Sequence, residues 1–274
     1  MLHIRDPHNA RLKVFDPSEA DLRDGGPLAR LTSQFLRQTA LSKLTVYARP
    51  GVAEHLVKAG FREEGWIVGY FGGEEAAHLM TRYQSPQRAV DCQHETTEGV
   101  VALAKAKARP VGAAAEPPPQ LGHARSATTP DVAGIVDLLV ASFDTYPTEL
   151  SDAYIGGRIA DGSSLFELYL GGGGRIVGAA SAECDPVQPI AEISDCVVDP
   201  QWQGHGITTH LIHRLHERLL QHTSIRHTYS LARALEAGMN ISLAKMGYTY
   251  TGRLTNNCQM PTGWESMNVW CRAL

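Results

Sequence analysis

The chain has 274 residues, enough for one large domain or two smaller ones, with 43% hydrophobic and 20% charged residues, as expected of a globular protein. A formal net charge of −4 provides no basic field for a nucleic-acid backbone. The five cysteines (Cys92, Cys184, Cys196, Cys258, Cys271) form an odd, scattered set without a CxxC pair, which argues against a disulfide scaffold or a zinc module and for a reducing compartment.

The N-terminal stretch MLHIRDPHNARLKVFD has no apolar core segment, so it does not read as a secretory signal. No apolar run approaches the roughly 18 residues that a membrane span needs. A cytoplasmic protein without nucleic-acid or membrane partners is expected.

The clearest shift in composition is AKAKARPVGAAAEPPPQLGHARSATTP, residues 104–130, too rich in Ala, Pro and Gly to bury a face. It divides the chain into residues 1–103, a linker over 104–126, and residues 127–274. The last part opens with Thr129 and Asp131 as cap candidates and a helical stripe of Val132, Ile135, Leu138, Leu139 and Phe143. LFELYLGGGGRIVGAASAE reads as a hairpin, and its four glycines as a flexible turn, since they lead into a strand and not a helix. IAEISDCVVD is a third strand. A helix follows from Gly206, with Ile207, Leu211, Leu215 and Leu219 on one stripe. Then come a strand over IRHTYSL, a helix ending near Gly247, and two closing strands. The pattern is mixed α/β with mainly antiparallel neighbours.

A weak internal repeat aligns LVKAGFREEGWIVGYFGGEEAAHLMTRY with LAKMGYTYTGRLTNNCQMPTGWESMNVW without a gap. At one constant offset Gly60 matches Gly247, Gly65 matches Gly252 and Met80 matches Met267. Upstream, Ala48-Arg49 resembles Ala232-Arg233. Chance similarity of two helix–hairpin units is the alternative.

The stretch VVDPQWQGHGITTH, residues 197–210, is the main chemical signal, and the N-terminal part has no copy of it. It has neither the Lys and longer spacing of a Walker loop nor the third glycine of a dinucleotide fingerprint. What remains is an anion site at a helix start. Gln203, Gly204, His205, Gly206, Ile207 and Thr208 would present successive N–H groups, helped by the helix dipole. An acidic residue in the turn would repel such a ligand, and none is there.

Those residues resemble the signature of the GCN5-related N-acetyltransferases: a strand, Val-x-Pro, then [Gln/Arg]-x-x-Gly-x-[Gly/Ala]. Gln203 and Gly206 match the first two fixed positions, whereas Thr208 replaces the usual small residue. The resemblance implies a GNAT fold, α/β of the mixed α+β kind, with a central mostly antiparallel sheet flanked by helices. It also makes residues 1–103 a smaller degenerate GNAT-like domain. EGWIVGYFGGEEAAHLMTRY, SFDTYPTELSDAYI, ARALEAGMN and NNCQMPTGWESMNVW are further similar to segments of the β-lysine N6-acetyltransferase family. That implies acetyl transfer from acetyl-CoA to the distal amine of β-lysine, giving an uncharged zwitterionic osmolyte. Other amine acceptors (a polyamine, an aminoglycoside, a protein lysine) and a non-catalytic acetyl-CoA sensor are the alternatives, and a homodimer is left open.

An alkylamine has a pKa near 10.4 and must lose a proton before it attacks. Glu192 and Asp195 are the candidate bases, Glu192 first; in a regular strand they would face opposite sides. Pairing with an Arg or binding the substrate ammonium is the competing reading of each. The resemblance implies a bulge in this strand, with Cys196, Val197 and Val198 bonding the pantetheine arm and polarising the thioester carbonyl. Relatives place a Tyr as acid on the last helix, but counting back from Gly247 gives Leu243 there. Tyr146 and Tyr229 are substitutes. Asp144, Tyr146 and Glu149 fall where the family's substrate loop lies, and Asn240 resembles an Asn on the cofactor side. His210, His213 and His216 recur every third residue, which drifts around a helix and does not converge on one ion, so no metal is expected. Cys196 reads as a buried strand cysteine, not as an acyl carrier.

Overall fold

The computed structural model describes residues 1–109, 122–143, 150–261 and 263–274. In chain order the N-terminal part contains β1 (Leu2–Asp6), β2 (Arg11–Phe15), α1 (Glu19–Leu22), α2 (Pro27–Arg37), β3 (Lys43–Ala48), α3 (Pro50–Lys58), β4 (Arg62–Phe71), β5 (Glu75–Tyr83) and α4 (His94–Ala106). The C-terminal part contains β6 (His123–Ser126), α5 (Val132–Ser142), α6 (Asp152–Ala160), β7 (Ser164–Leu170), β8 (Ile176–Cys184), β9 (Ile190–Val198), α7 (Ile207–His222), β10 (His227–Arg233), α8 (Ala237–Lys245), β11 (Thr249–Met260) and β12 (Gly263–Ala273).

The strands of the described residues join one 12-stranded sheet in the order β1-β2-β3-β5-β4-β11-β12-β10-β9-β8-β7-β6. Among the described residues, only β2 with β3 and β9 with β10 pair in parallel. The sequence repeat is therefore a structural one: β3-α3-β4-β5 and β10-α8-β11-β12 are the same unit built twice. The matched glycines share conformations, with φ 81° at Gly60 and 78° at Gly247. The two units meet where β4 pairs antiparallel with β11 at Gly65 and Gly252.

The core has several centres. Ile207, Leu211, Leu215 and Leu219 of α7 are fully buried against the C-terminal sheet, as their spacing predicts. Helices α5 and α6 cover the opposite face near β7 and β8. Near β10 to β12 that face is covered instead by the N-terminal part, through Tyr47, Ile67, Tyr70 and Phe71 packed with Ile190, Leu254 and Val269. Each such side chain fully buried contributes about 1.5–3 kcal/mol, so the two parts are held as one body. Two elements fall inside the span expected as a linker. Helix α4 runs through Ala106 because Ala104 packs into the C-terminal core, and β6 occupies His123–Ser126.

Candidate active site

The main-chain ladder between β9 and β10 ends at Glu192 and Tyr229. Ser230 Oγ makes one further tie, donating to Ile193 O at 2.8 Å. Beyond it the strands splay, and a cleft of about 610 Å³ opens between them. Its walls include Ser194 to Val198 on one side, Ser230 to Arg233 on the other, and the glycine turn at its mouth.

A bulge lies in β9 beside this opening. Ala179 pairs with Val197 but Ser181 with Ser194, so Asp195 and Cys196 together face one residue of β8, and Asp195 takes φ 49°. The bulge overturns the alternation expected of a regular strand. Ser181 faces the same side as Glu183 and Glu192, and its Oγ donates to Asp195 Oδ2 at 2.8 Å. Asp195 is thereby turned to the face that carries Glu192.

Both carboxyls are poised near neutrality. Burial raises Asp195 to about 7. Burial and the neighbouring Glu183 raise Glu192 to about 7, against the opposing pull of Lys13 and Arg11. Asp195 lines the cleft; Glu192 sits one step inward, beside Tyr229 and turned toward the N-terminal part. Burial, with Glu192 next, holds the Tyr229 phenol well above its ordinary range, so it keeps its proton.

The turn has the form of an anion seat. Gly204 and Gly206 have φ 81° and 76°, and Gly206 caps α7 in the left-handed conformation. Space is open around both, so the backbone angle is what calls for glycine there. The first helical acceptor, Gly206 O, is taken by His210 N at 3.0 Å. The N–H groups of Ile207, Thr208 and Thr209 consequently lack helical acceptors, and the first turn of α7 has no acidic residue. Gln203 braces the turn, its Nε2 donating to Val198 O at 3.1 Å. In the N-terminal repeat, α1 follows β2 and carries Glu19 and Asp21 in its first turn, the opposite of an anion seat.

Gln203, Gly204, Gly206, Ile207 and Thr208 all line the cleft with Cys196, Val197 and Val198; His205 does not. Asn240 has another task. It is fully buried, with Nδ2 donating to Arg233 O and Glu236 O and Oδ1 accepting from Asn268 Nδ2 and Trp270 Nε1. Its amide is saturated and ties α8 to β12. Leu243 points into the core, and the cleft-facing positions of α8 are Gly238, Met239, Ile241, Ser242 and Lys245, none a phenol. Asp144, Tyr146 and Glu149 lie outside the described residues. The Cys196 thiol is pushed far up by burial and then by Asp195, which disfavours a thiolate. His210, His213 and His216 have separate neighbours: the Tyr169 ring, Glu217 and the Tyr248 hydroxyl. Sequence reasoning missed Lys245, which lines the cleft, and the wall of Cys258, Met260 and Met267. The wall is invisible in sequence because it comes from the far hairpin.

Residues 132–248, the stretch holding the bulge, the splay and the turn, match the Acetyltransferase (GNAT) family. Over 234 residues the chain is 37% identical to N-acetyltransferase YodP of Bacillus subtilis, covering 85% of this chain and 82% of that protein. The chain belongs to the GNAT acetyltransferase family. It is an acetyl-CoA-dependent N-acetyltransferase, and the glycine turn at the head of α7 fits a pyrophosphate-bearing cosubstrate. Beta-lysine N(6)-acetyltransferase of Methanosarcina mazei is 31% identical over 255 residues, covering 85% of this chain and 92% of that protein. Among solved structures, a GNAT superfamily phosphinothricin acetyltransferase from Sinorhizobium meliloti in complex with AcCoA shares the fold. Its TM-score is 0.50 at 19% identity, covering 56% of this chain and 89% of that one.

Proposed function

We propose that the protein acetylates the distal amine of β-lysine. The observation that carries this reading is the extent of the likeness to the Methanosarcina enzyme of that name: it spans 85% of this chain, far more than the GNAT segment at 132–248. The likeness thus takes in residues outside the GNAT segment.

In this reading acetyl-CoA supplies the acetyl thioester, with its pyrophosphate on the N–H groups from Gln203 to Thr208. Backbone N–H groups from Cys196 to Val198, freed by the splay, hold the pantetheine arm and stabilise charge developing on the thioester oxygen. Glu192 takes the proton from the amine, directly or through water, and Asp195 holds the ammonium before attack. A carboxyl near 7 is matched to that work at neutral pH, ionised often enough to act and basic enough to accept. β-Lysine carries two ammonium groups and one carboxylate. Acetylation removes one positive charge and leaves a net-neutral zwitterion, a product suited to accumulation as a compatible solute in the cytoplasm.

The test is thiol release from acetyl-CoA with β-lysine, α-lysine, spermidine and kanamycin. Turnover of β-lysine well above the rest is expected. Preference for spermidine or kanamycin would overturn the assignment.

A further inference from the structure

Strand β2 places Arg11, Lys13 and Phe15 on one face, while Leu12 and Val14 fill the N-terminal core on the other. The first face looks onto the catalytic part. Phe15 packs into the cluster with Tyr229 and Leu231, and Arg11 Nη1 lies 3.3 Å from Asn257 O and 3.9 Å from Cys258 Sγ, a residue of the cleft's wall. Lys13 stands between these two on the same face.

Arg11 is already paired with Asp6, at 2.7 Å. Glu192, across the seam on β9, interacts with both Lys13 and Arg11. Yet no carboxylate among the described residues comes within ion-pair distance of Lys13, and it makes no hydrogen bond to them. Lys43 on the adjacent strand shows the usual solution for a buried ammonium: it meets Glu64 at 3.0 Å and Thr255 O at 2.7 Å. Lys13 is half-buried next to another cation, and Glu192 acts on it only from beyond ion-pair distance. The Lys13 ammonium is not fully enclosed, so the counter-charge of a ligand can still reach it.

We propose that Lys13 binds the carboxylate of an amino-acid substrate, aligning the molecule so that its distal amine meets the face carrying Glu192 and Asp195. The inference rests on the amine-acetylating reading above and narrows it to amines that bear a carboxylate. It also gives the N-terminal part a specific task, that of supplying half of the substrate site from the strand register of β2.

The test compares amines that differ only in the carboxylate: β-lysine against 1,4-diaminopentane, and L-lysine against 1,5-diaminopentane. The wild-type protein should favour the carboxylated member of the pair it uses by about 10- to 100-fold in kcat/KM, the range of a charge-assisted hydrogen bond. Lys13→Gln should abolish that preference by raising KM for the carboxylated member alone, and Lys13→Arg should restore part of it. A wild-type preference for the decarboxylated diamines would overturn the inference and leave acetyl transfer intact. So would a Lys13→Gln loss equal on both members, or a preference that survives the substitution. Carboxylate-dependent turnover of L-lysine, lost in Lys13→Gln, with none of β-lysine would overturn the β-lysine reading while this inference stands.

Discussion

Gly65 and Gly252 face each other at the junction of β4 and β11, with φ 151° and 153°, as equivalent residues of the two repeats. A Cβ on Gly65 would sit 2.9 Å from Gly252 Cα and 2.9 Å from Thr251 O, so neither position has room for a side chain. The two hairpins approach each other there more closely than any other residue allows. The pair is the point about which the chain repeats itself, and the sheet is continuous only because of it.

Gly252→Ala adds a backbone clash to a disfavoured φ, and strain of that kind costs about 1–3 kcal/mol before the clash is counted. The substitution should lower the denaturation midpoint accordingly and expose the seam to limited proteolysis. Gly172→Ala, where a Cβ meets nothing within 4 Å, is the control and should leave both unchanged.

The turn at the head of α7 admits a substitution that separates binding from stability. Thr208→Asp puts a carboxylate near the helix N-terminus, which the dipole favours by about 0.3–1 kcal/mol. The same charge would repel a pyrophosphate. Melting temperature should hold or rise while acetyl-CoA affinity, by calorimetry, falls at least about tenfold. A variant that binds acetyl-CoA as tightly as wild type would show that the turn is not the anion seat.

Much of this was legible in the sequence. The stripe of α7, the hairpin of β7 and β8, and the glycine turn follow from spacing and from residues with special backbone needs, both of which are local. The repeat was visible because Gly60 and Gly65 recur with the same left-handed or extended positive φ as Gly247 and Gly252. What could not be read was long-range. The bulge that swings Asp195 onto the Glu192 face depends on register with β8. Asn240 resembled an Asn on the cofactor side but is buried under Trp270, because only the sheet order brings β12 beneath α8. Lys13 lies far from the site in sequence, and its place is set by the pairing of β4 with β11.

Asn240 yields its own prediction. Asn240→Ala removes an acceptor from the buried Trp270 and Asn268 N–H groups and a donor from the part-buried carbonyls of Arg233 and Glu236. Each buried group left unpaired costs about 1–3 kcal/mol. Several kcal/mol of stability should be lost by chemical denaturation. Protein that remains folded at low temperature should bind acetyl-CoA with near wild-type affinity, since the amide does not reach the cleft. A tight-folding variant with weak acetyl-CoA binding would instead return Asn240 to the cofactor.

The carboxyl at Glu192 links activity to stability with opposite signs. Its ordinary value is 4.5 and the folded value is about 7, so between these the folded state holds more protons than the unfolded one. Stability therefore falls as pH rises through that window, whereas the base becomes ionised and kcat/KM rises through about 7. Glu192→Gln should remove the ascending limb of the pH–rate profile and lower kcat by about 10²–10⁴-fold, the usual range for a positioned base. The same substitution should raise the melting temperature at pH 8, where the wild type keeps a buried charge, and change it little at pH 4, where the wild-type carboxyl is protonated. Asp195→Asn should show the same stability gain, since burial alone raises that group. It should weaken the amine KM more than it flattens the profile. If instead Asp195→Asn flattens the profile and Glu192→Gln does not, the proton goes to the residue inside the bulge and Glu192 is left with the ammonium.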